Sequence, residues 1–125
     1  MSAARSAAVV AIVDDDDLMR SALQGLLKAV GLTAQAFASG EEFLRSGQQH
    51  STACLIADIQ MPGMSGLDLQ ARLNAERIRI PMIFITAHGD ERVRMQALRA
   101  GAVEFVAKPF ANDALLERVR AALDS

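Results

Sequence analysis

A single cysteine, Cys54, occurs in the 125 residues, so no disulfide can close within the chain. Set inside an apolar run, that thiol reads as a small buried side chain of a reducing compartment rather than a reactive or metal-binding group. Basic charge is also scarce. Thirteen Lys and Arg stand against fifteen Asp and Glu, a formal net charge of -2, which removes any general attraction to nucleic acid or an anionic membrane. No apolar stretch reaches the ~20 residues that span a bilayer, and the start lacks a signal-peptide core of ordinary length. The expected location is therefore the cytoplasm, with no membrane partner. Internal repeats, low-complexity segments and linkers are missing as well. What remains is a length that suits about one ordinary domain, residues 1–125. Its 51% apolar and 22% charged residues suit a globule with a substantial core rather than a disordered tail.

Two periodicities alternate along the chain. Short apolar runs occupy residues 8–13, 32–37, 53–57, 82–85 and 102–107. Three of them, at 9–13, 54–56 and 82–85, are nearly continuous, as in central parallel strands buried on both faces. Between the runs the apolar spacing is helical. Leu18, Ala22, Leu23, Leu26, Leu27 and Val30 recur at steps of three and four, and Gly31 closes that helix. Ser39 caps a second helix whose first turn carries Glu41 and Glu42. Leu69 and Leu73 mark a third, and Val93, Ala97 and Ala100 a fourth that stops at Gly101. A fifth begins at Ala111 or Asn112 and carries Leu115, Leu116, Val119, Ala122 and Leu123. Five strands alternating with five helices predict a doubly wound α/β fold, a mostly parallel sheet with helices on both faces.

In such a sheet ligands sit beyond the carboxyl ends of the strands, and the polar chemistry of this chain falls there. The first strand ends in Asp14-Asp15-Asp16-Asp17, the third in Asp58, the fourth in Thr86 and the fifth in Lys108-Pro109. Crowded carboxylates repel one another and need cations to persist as anions. Lys108 and one divalent cation would balance Asp14, Asp15 and Asp58, and oxygen donors without histidine or thiolate favour magnesium over zinc. That combination suits phosphoryl transfer.

Each residue has a plainer reading. Asp16 and Asp17 are better explained as the cap and first turn of a helix, whereas the strand-end position of Asp14 and Asp15 favours metal binding. Asp58 equally suits an Asx-turn before Met61-Pro62-Gly63. Thr86 would also serve as a helix cap, and Lys108, ahead of a proline, as a turn residue. The joint placement at four strand ends is the argument, not any one residue.

From residue 8 to residue 123 the chain resembles the receiver domains of bacterial response regulators. The resemblance rests on Ile12-Val13-Asp14-Asp15-Asp16 with Met19-Arg20, on Ile56-Ala57-Asp58-Ile59-Gln60-Met61-Pro62-Gly63-Met64-Ser65-Gly66, on Ile85-Thr86-Ala87-His88-Gly89-Asp90, and on residues 100–110 ending Ala107-Lys108-Pro109-Phe110. The Thr-Ala-His-Gly-Asp segment is similar to receivers of the FixJ type, whose full-length members usually carry a helix-turn-helix DNA-binding domain. The resemblance implies a flavodoxin-like sheet of order 2-1-3-4-5. It also implies that Asp58 is the phosphoacceptor, served by a sensor histidine kinase. Asp14, Asp15, Asp58 and the backbone carbonyl of Gln60 would bind Mg2+, Thr86 would bond a phosphoryl oxygen, and Lys108 would pair with Asp58 across a cis Lys108-Pro109 peptide. Thr86 and Phe105 would form the switch, although Phe105 also reads as permanent core. Such a domain is not an enzyme beyond its own phosphorylation and dephosphorylation. A homodimer through the helix 4 and strand 5 face, and DNA contact only through an output domain outside this chain, are further implications.

Other residues have weaker claims. His88 sits in the loop after Thr86, within reach of a phosphoryl group or simply exposed, and His50 reads as loop surface. Arg92, Arg94 and Arg99 suit a dimer surface or a solvated helix face. Met61 and Met64 line the site or fill space. Two rival functions stand beside the leading one. A stand-alone or degenerate receiver would act only as an interaction module. An aspartate-nucleophile phosphatase would need its nucleophile on the first strand in an Asp-x-Asp-x-Thr setting, and Leu18 follows the four aspartates instead.

Overall fold

Continuous apolar runs make strands that must be covered on both sides, and the computed structural model, which describes residues 8–87 and 91–124, covers them. The elements are β1 (Val9–Val13), α1 (Asp17–Ala29), β2 (Thr33–Phe37), α2 (Gly40–Ser46), β3 (Thr52–Asp58), α3 (Gly66–Ala75), β4 (Met82–Thr86), α4 (Glu91–Arg99), β5 (Glu104–Ala107) and α5 (Asn112–Asp124), with a 3-10 turn at Gln48–His50. All strand pairings are parallel and the order is β2-β1-β3-β4-β5. The central β1, β3 and β4 are buried almost throughout, while β2 and β5 at the edges are only partly so.

Side-chain alternation divides the core in two. On one face Ala11, Val13, Leu55, Ala57 and Phe84 pack against Phe43 of α2, Leu69 and Leu73 of α3 and Ala97 of α4. On the other, Val10, Ile12, Cys54, Ile56, Ile83 and Ile85 pack against Leu23 and Leu27 of α1 and Leu115 and Val119 of α5. Cys54 is fully buried, as expected, and burial pushes its thiol up to about 12. Among the described residues no helix is long and apolar enough to cross a membrane.

The helix ends follow local chemistry. Asp16 caps α1, its carboxylate accepting from the Leu18 and Met19 amides, and Asp17 opens the first turn. Ser39 caps α2. Ser65 and Asp68 form a reciprocal capping box on α3, each bond 3.1 Å long. Three helices end alike, with a left-handed residue after the C-cap and the paired bonds of a Schellman motif. Gly31 and Gly101 fill that position for α1 and α4, with φ of 84° and 108°.

After α3 the same position is held by Arg77, at φ 59°, with Arg77 N–H to Asn74 O at 3.0 Å and Ile78 N–H to Leu73 O at 2.9 Å. A side chain there carries a left-handed penalty that glycine avoids. Arg77→Gly is expected to stabilise the fold by about 0.5–1 kcal/mol, read as a higher urea midpoint at unchanged slope. A lower midpoint would show that the arginine side chain contributes more than its backbone costs.

Candidate functional site

Successive strands first step outward from β1 to β2, then reverse and run through β3, β4 and β5. The chains leaving β1 and β3 therefore diverge, and a crevice opens between their carboxyl ends. Asp14 directly follows β1 and Asp58 is the last residue of β3, so both point their chemistry at that crevice. Carboxylate oxygens of Asp14, Asp15 and Asp58 lie within 4.8 Å of one another.

Asp14 and Asp58 are held in the same way. Asp14 Oδ1 accepts the Asp16 amide at 2.9 Å, and Asp58 Oδ1 accepts the Gln60 amide at 3.2 Å. Asp58 thus does make the Asx-turn that its spacing allows, and the turn leaves its second oxygen available. Both second oxygens face Lys108, whose Nζ is 3.6 Å from Asp58 Oδ2 and 3.9 Å from Asp14 Oδ2. Lys108 reaches them from beyond β5, where its amide donates to Thr86 O at 2.7 Å and the Lys108-Pro109 peptide is cis.

Burial and charge set the electrostatics. Asp14 is 1% exposed and Asp58 9%, whereas Asp15 opens to solvent. Burial, and then the Asp58 and Asp15 carboxylates, hold the Asp14 carboxyl above its ordinary value against the opposing Asp16 amide and Lys108. Ionised, the three carboxylates carry three negative charges against the one ammonium near them. Such a set of hard oxygens with surplus negative charge fits a hard divalent cation.

Thr86 ends β4 and is 1% exposed. Ala87, which follows it, is a bend and not helical, so Thr86 does not cap a helix. Phe105 pairs in register with Phe84, two residues before the Thr86–Ala107 pair, so Phe105 and Thr86 share the α4 side of the sheet. It is only partly buried and packs against the Phe84 cluster, which differs from a permanently enclosed core side chain. Gln60 is exposed, with its backbone in the loop beside Asp58. Met61 is buried core, His50 is exposed, and His88 lies outside the described residues.

Two residues carried no assigned role in the sequence. Gly66 begins α3 against the backbone of Asp58, and a Cβ there would sit 2.4 Å from the Asp58 carbonyl oxygen and 3.0 Å from Ile59 Cα. Any larger residue must displace the backbone at Asp58 and Ile59. Its presence at the end of the quoted motif was the available signal, but close approach is not visible in one sequence. Arg20 donates from Nη1 to the Asp14 carbonyl at 2.7 Å.

The raised Asp14 value has a stability consequence. A carboxyl whose folded value lies above its unfolded one favours the native state when protonated, so its contribution is present at low pH and lost as pH rises through the folded value. At neutral pH without divalent metal, Asp14 is then a net cost. Asp14→Asn is expected to raise metal-free stability at pH 7 by about 1 kcal/mol, with the gain shrinking as pH falls toward the ordinary carboxylate range. Urea titrations of both proteins in chelator at pH 7 and pH 5 measure it, and a destabilised variant at pH 7 would contradict the electrostatic account.

Comparison with known proteins agrees with this geometry. Residues 10–120 match the family model described as the response regulator receiver domain. Nodulation protein W of Bradyrhizobium diazoefficiens is 45% identical over 121 residues, covering 97% of this chain and 53% of that protein. The transcriptional regulatory protein FixJ of Azorhizobium caulinodans is 39% identical over 114 residues, covering 91% of this chain and 54% of that protein. The crystal structure of FixJ-N superposes with a TM-score of 0.85 at 35% identity, covering 94% of each chain. The chain thus spans about half the length of the curated relatives it matches. With the sheet order, the convergent carboxylates and the family match in agreement, the chain belongs to the response regulator receiver domains of two-component signalling.

Proposed function

We propose that this chain, residues 1–125, is one phosphoacceptor unit that takes a phosphoryl group on Asp58 from a phosphohistidine of a sensor histidine kinase. The observation that carries this reading is the shared placement of Asp58 and Asp14, each with one oxygen tied to a backbone amide and the other turned toward Lys108. An Asp58 oxygen attacks phosphorus, the phosphorus–nitrogen bond breaks, and the departing imidazole nitrogen takes a proton as an acyl phosphate forms. Asp14, Asp15, Asp58 and the Gln60 carbonyl would hold Mg2+, which when bound supplies positive charge for the phosphoryl oxygens. Lys108 neutralises charge on Asp58 before transfer and on the phosphoryl group afterwards, and the Thr86 hydroxyl donates to a phosphoryl oxygen.

Phosphorylation adds roughly -1.5 to -2 charge together with new acceptor oxygens. Drawing Thr86 toward them opens space on the α4 side, and the half-buried Phe105 on the neighbouring strand turns in to fill it. The equilibrium between the two arrangements exists beforehand and is shifted by the phosphate. Met95, 39% exposed, lies on the outer surface of α4 with Arg92 and Arg99. That face would serve a homodimer or an output domain. FixJ is named a transcriptional regulatory protein, and control of a DNA-binding output outside this chain is the corresponding role here. The domain turns over no substrate other than its own phosphate.

Treatment with acetyl phosphate and magnesium is expected to give one slower band on Phos-tag electrophoresis, absent with chelator and absent in Asp58→Asn. A band that survives Asp58→Asn would refute Asp58 as acceptor. Silence of the intact protein would leave an interaction module, and repeated turnover of small phosphate esters would point to a phosphatase.

For the switch, beryllofluoride with magnesium is expected to shift the Thr86 and Phe105 resonances in NMR spectra and to place the Phe105 ring in slower exchange with solvent-facing conformers. Spectra unchanged at both residues would refute the coupling.

A further inference from the structure

We propose that Arg20 is a positioning residue that holds the acidic turn after β1 in its cation-receiving shape. The inference rests on the reading of Asp14, Asp15 and Asp58 as a magnesium site. Three bonds fix Asp14. Its amide donates to Phe37 O at 3.2 Å, its Oδ1 accepts the Asp16 amide at 2.9 Å, and its carbonyl accepts Arg20 Nη1 at 2.7 Å. The first belongs to the edge of the sheet and the second to the turn itself. Only the third comes from a side chain on α1.

The second guanidinium nitrogen, Nη2, pairs with the Asp17 carboxylate. One planar group therefore grips the chain at residues 14 and 17, on both sides of Asp15 and Asp16. Arg20 is itself anchored, since its amide donates to Asp16 O at 3.0 Å in the first turn of α1. Its side chain is 19% exposed against 87% for Asp17, so the grip on the Asp14 carbonyl is the better shielded of the two bonds. Without it, the turn that carries Asp15 would be fixed only through its neighbours.

Charge and geometry predict opposite signs for this residue. A guanidinium close to the carboxylates lowers the local negative potential, so its charge alone opposes a divalent cation. Its fork favours the cation by fixing the backbone that presents the ligands, in the way that outer-shell groups orient metal ligands. Lysine keeps the charge but is a point donor on a flexible stem and does not reproduce a planar two-acceptor grip.

The test is a magnesium titration of the full chain, followed by calorimetry, for the wild type, Arg20→Gln and Arg20→Lys. The second readout, taken in chelator, is the hydrogen exchange rate of the Asp16 amide. Both variants are expected to bind magnesium roughly 10-fold more weakly and to exchange the Asp16 amide faster while unfolding cooperatively in urea. Equal or tighter binding by Arg20→Gln, with Asp16 exchange unchanged, would show that Arg20 acts through charge alone and would overturn the inference. If Arg20→Gln does not fold, Arg20→Lys decides by the same two readouts. A wild type that binds no magnesium overturns the metal-site reading and this inference with it, which separates the two failures.

Discussion

Mutual repulsion among Asp14, Asp15 and Asp58 is the constraint around which this fold is arranged. Their oxygens lie within 4.8 Å of one another, with Lys108 the cation that faces two of them. Like charges at that separation are unfavourable even where solvent reaches them, and more so at a carboxylate that is 1% exposed. The arrangement persists because it is attached to the most strongly buried part of the protein. Val10, Ala11, Ile12 and Val13 lead into Asp14, and Cys54, Leu55, Ile56 and Ala57 lead into Asp58, all at 1% exposure or less. Moving either carboxylate outward would mean sliding a central strand against both of its neighbours and both helical layers.

Strand order then determines which groups meet. The reversal between β1 and β3 opens the crevice, the neighbouring β4 brings Thr86, and β5 brings Lys108 from farther along the same rim. Side-chain alternation sends Thr86 and Phe105 to the face covered by α2, α3 and α4, whereas Ile12, Ile56 and Val106 face α1 and α5. A one-residue offset along each strand thus decides which helical layer a side chain meets. Gly66 completes the enclosure, because the first residue of α3 touches the peptide of Asp58 itself.

The strands and the rim were legible because their signals are local. Continuous apolar runs announce buried parallel strands, and the predicted spans agree with the observed ones to within one residue at each end, apart from the start of β5, which begins two residues later at Glu104. The cap and first-turn roles of Asp16 and Asp17 were legible too, since helix capping follows directly from residue type. The strand order was not available from periodicity and entered through family resemblance, because pairing between distant segments leaves no mark on the spacing within each one. Three further features depend on approach between separate elements. The absent Cβ of Gly66 matters only once α3 lies against Asp58, the reach of Arg20 only once α1 folds back over the turn, and the half-burial of Phe105 only once β5 is an edge.

The proposed response of Phe105 draws on the edge position of β5. A side chain enclosed like Phe84, at 0% exposure, has no second place to go without opening a cavity. Phe105 pairs with it in register yet is partly solvent-facing, and Val103 nearby is 48% exposed. In the proposed switch, moving such a ring would cost less than moving a buried one, so a modest interaction at the crevice would be enough to bias it. The backbone supplies the connection, since the Lys108 amide bonds the Thr86 carbonyl at 2.7 Å at the mouth of the site. A rigid, charge-crowded centre beside a loosely packed edge is therefore the physical basis on which the proposed phosphorylation of Asp58 would be read on the α4–β5 surface.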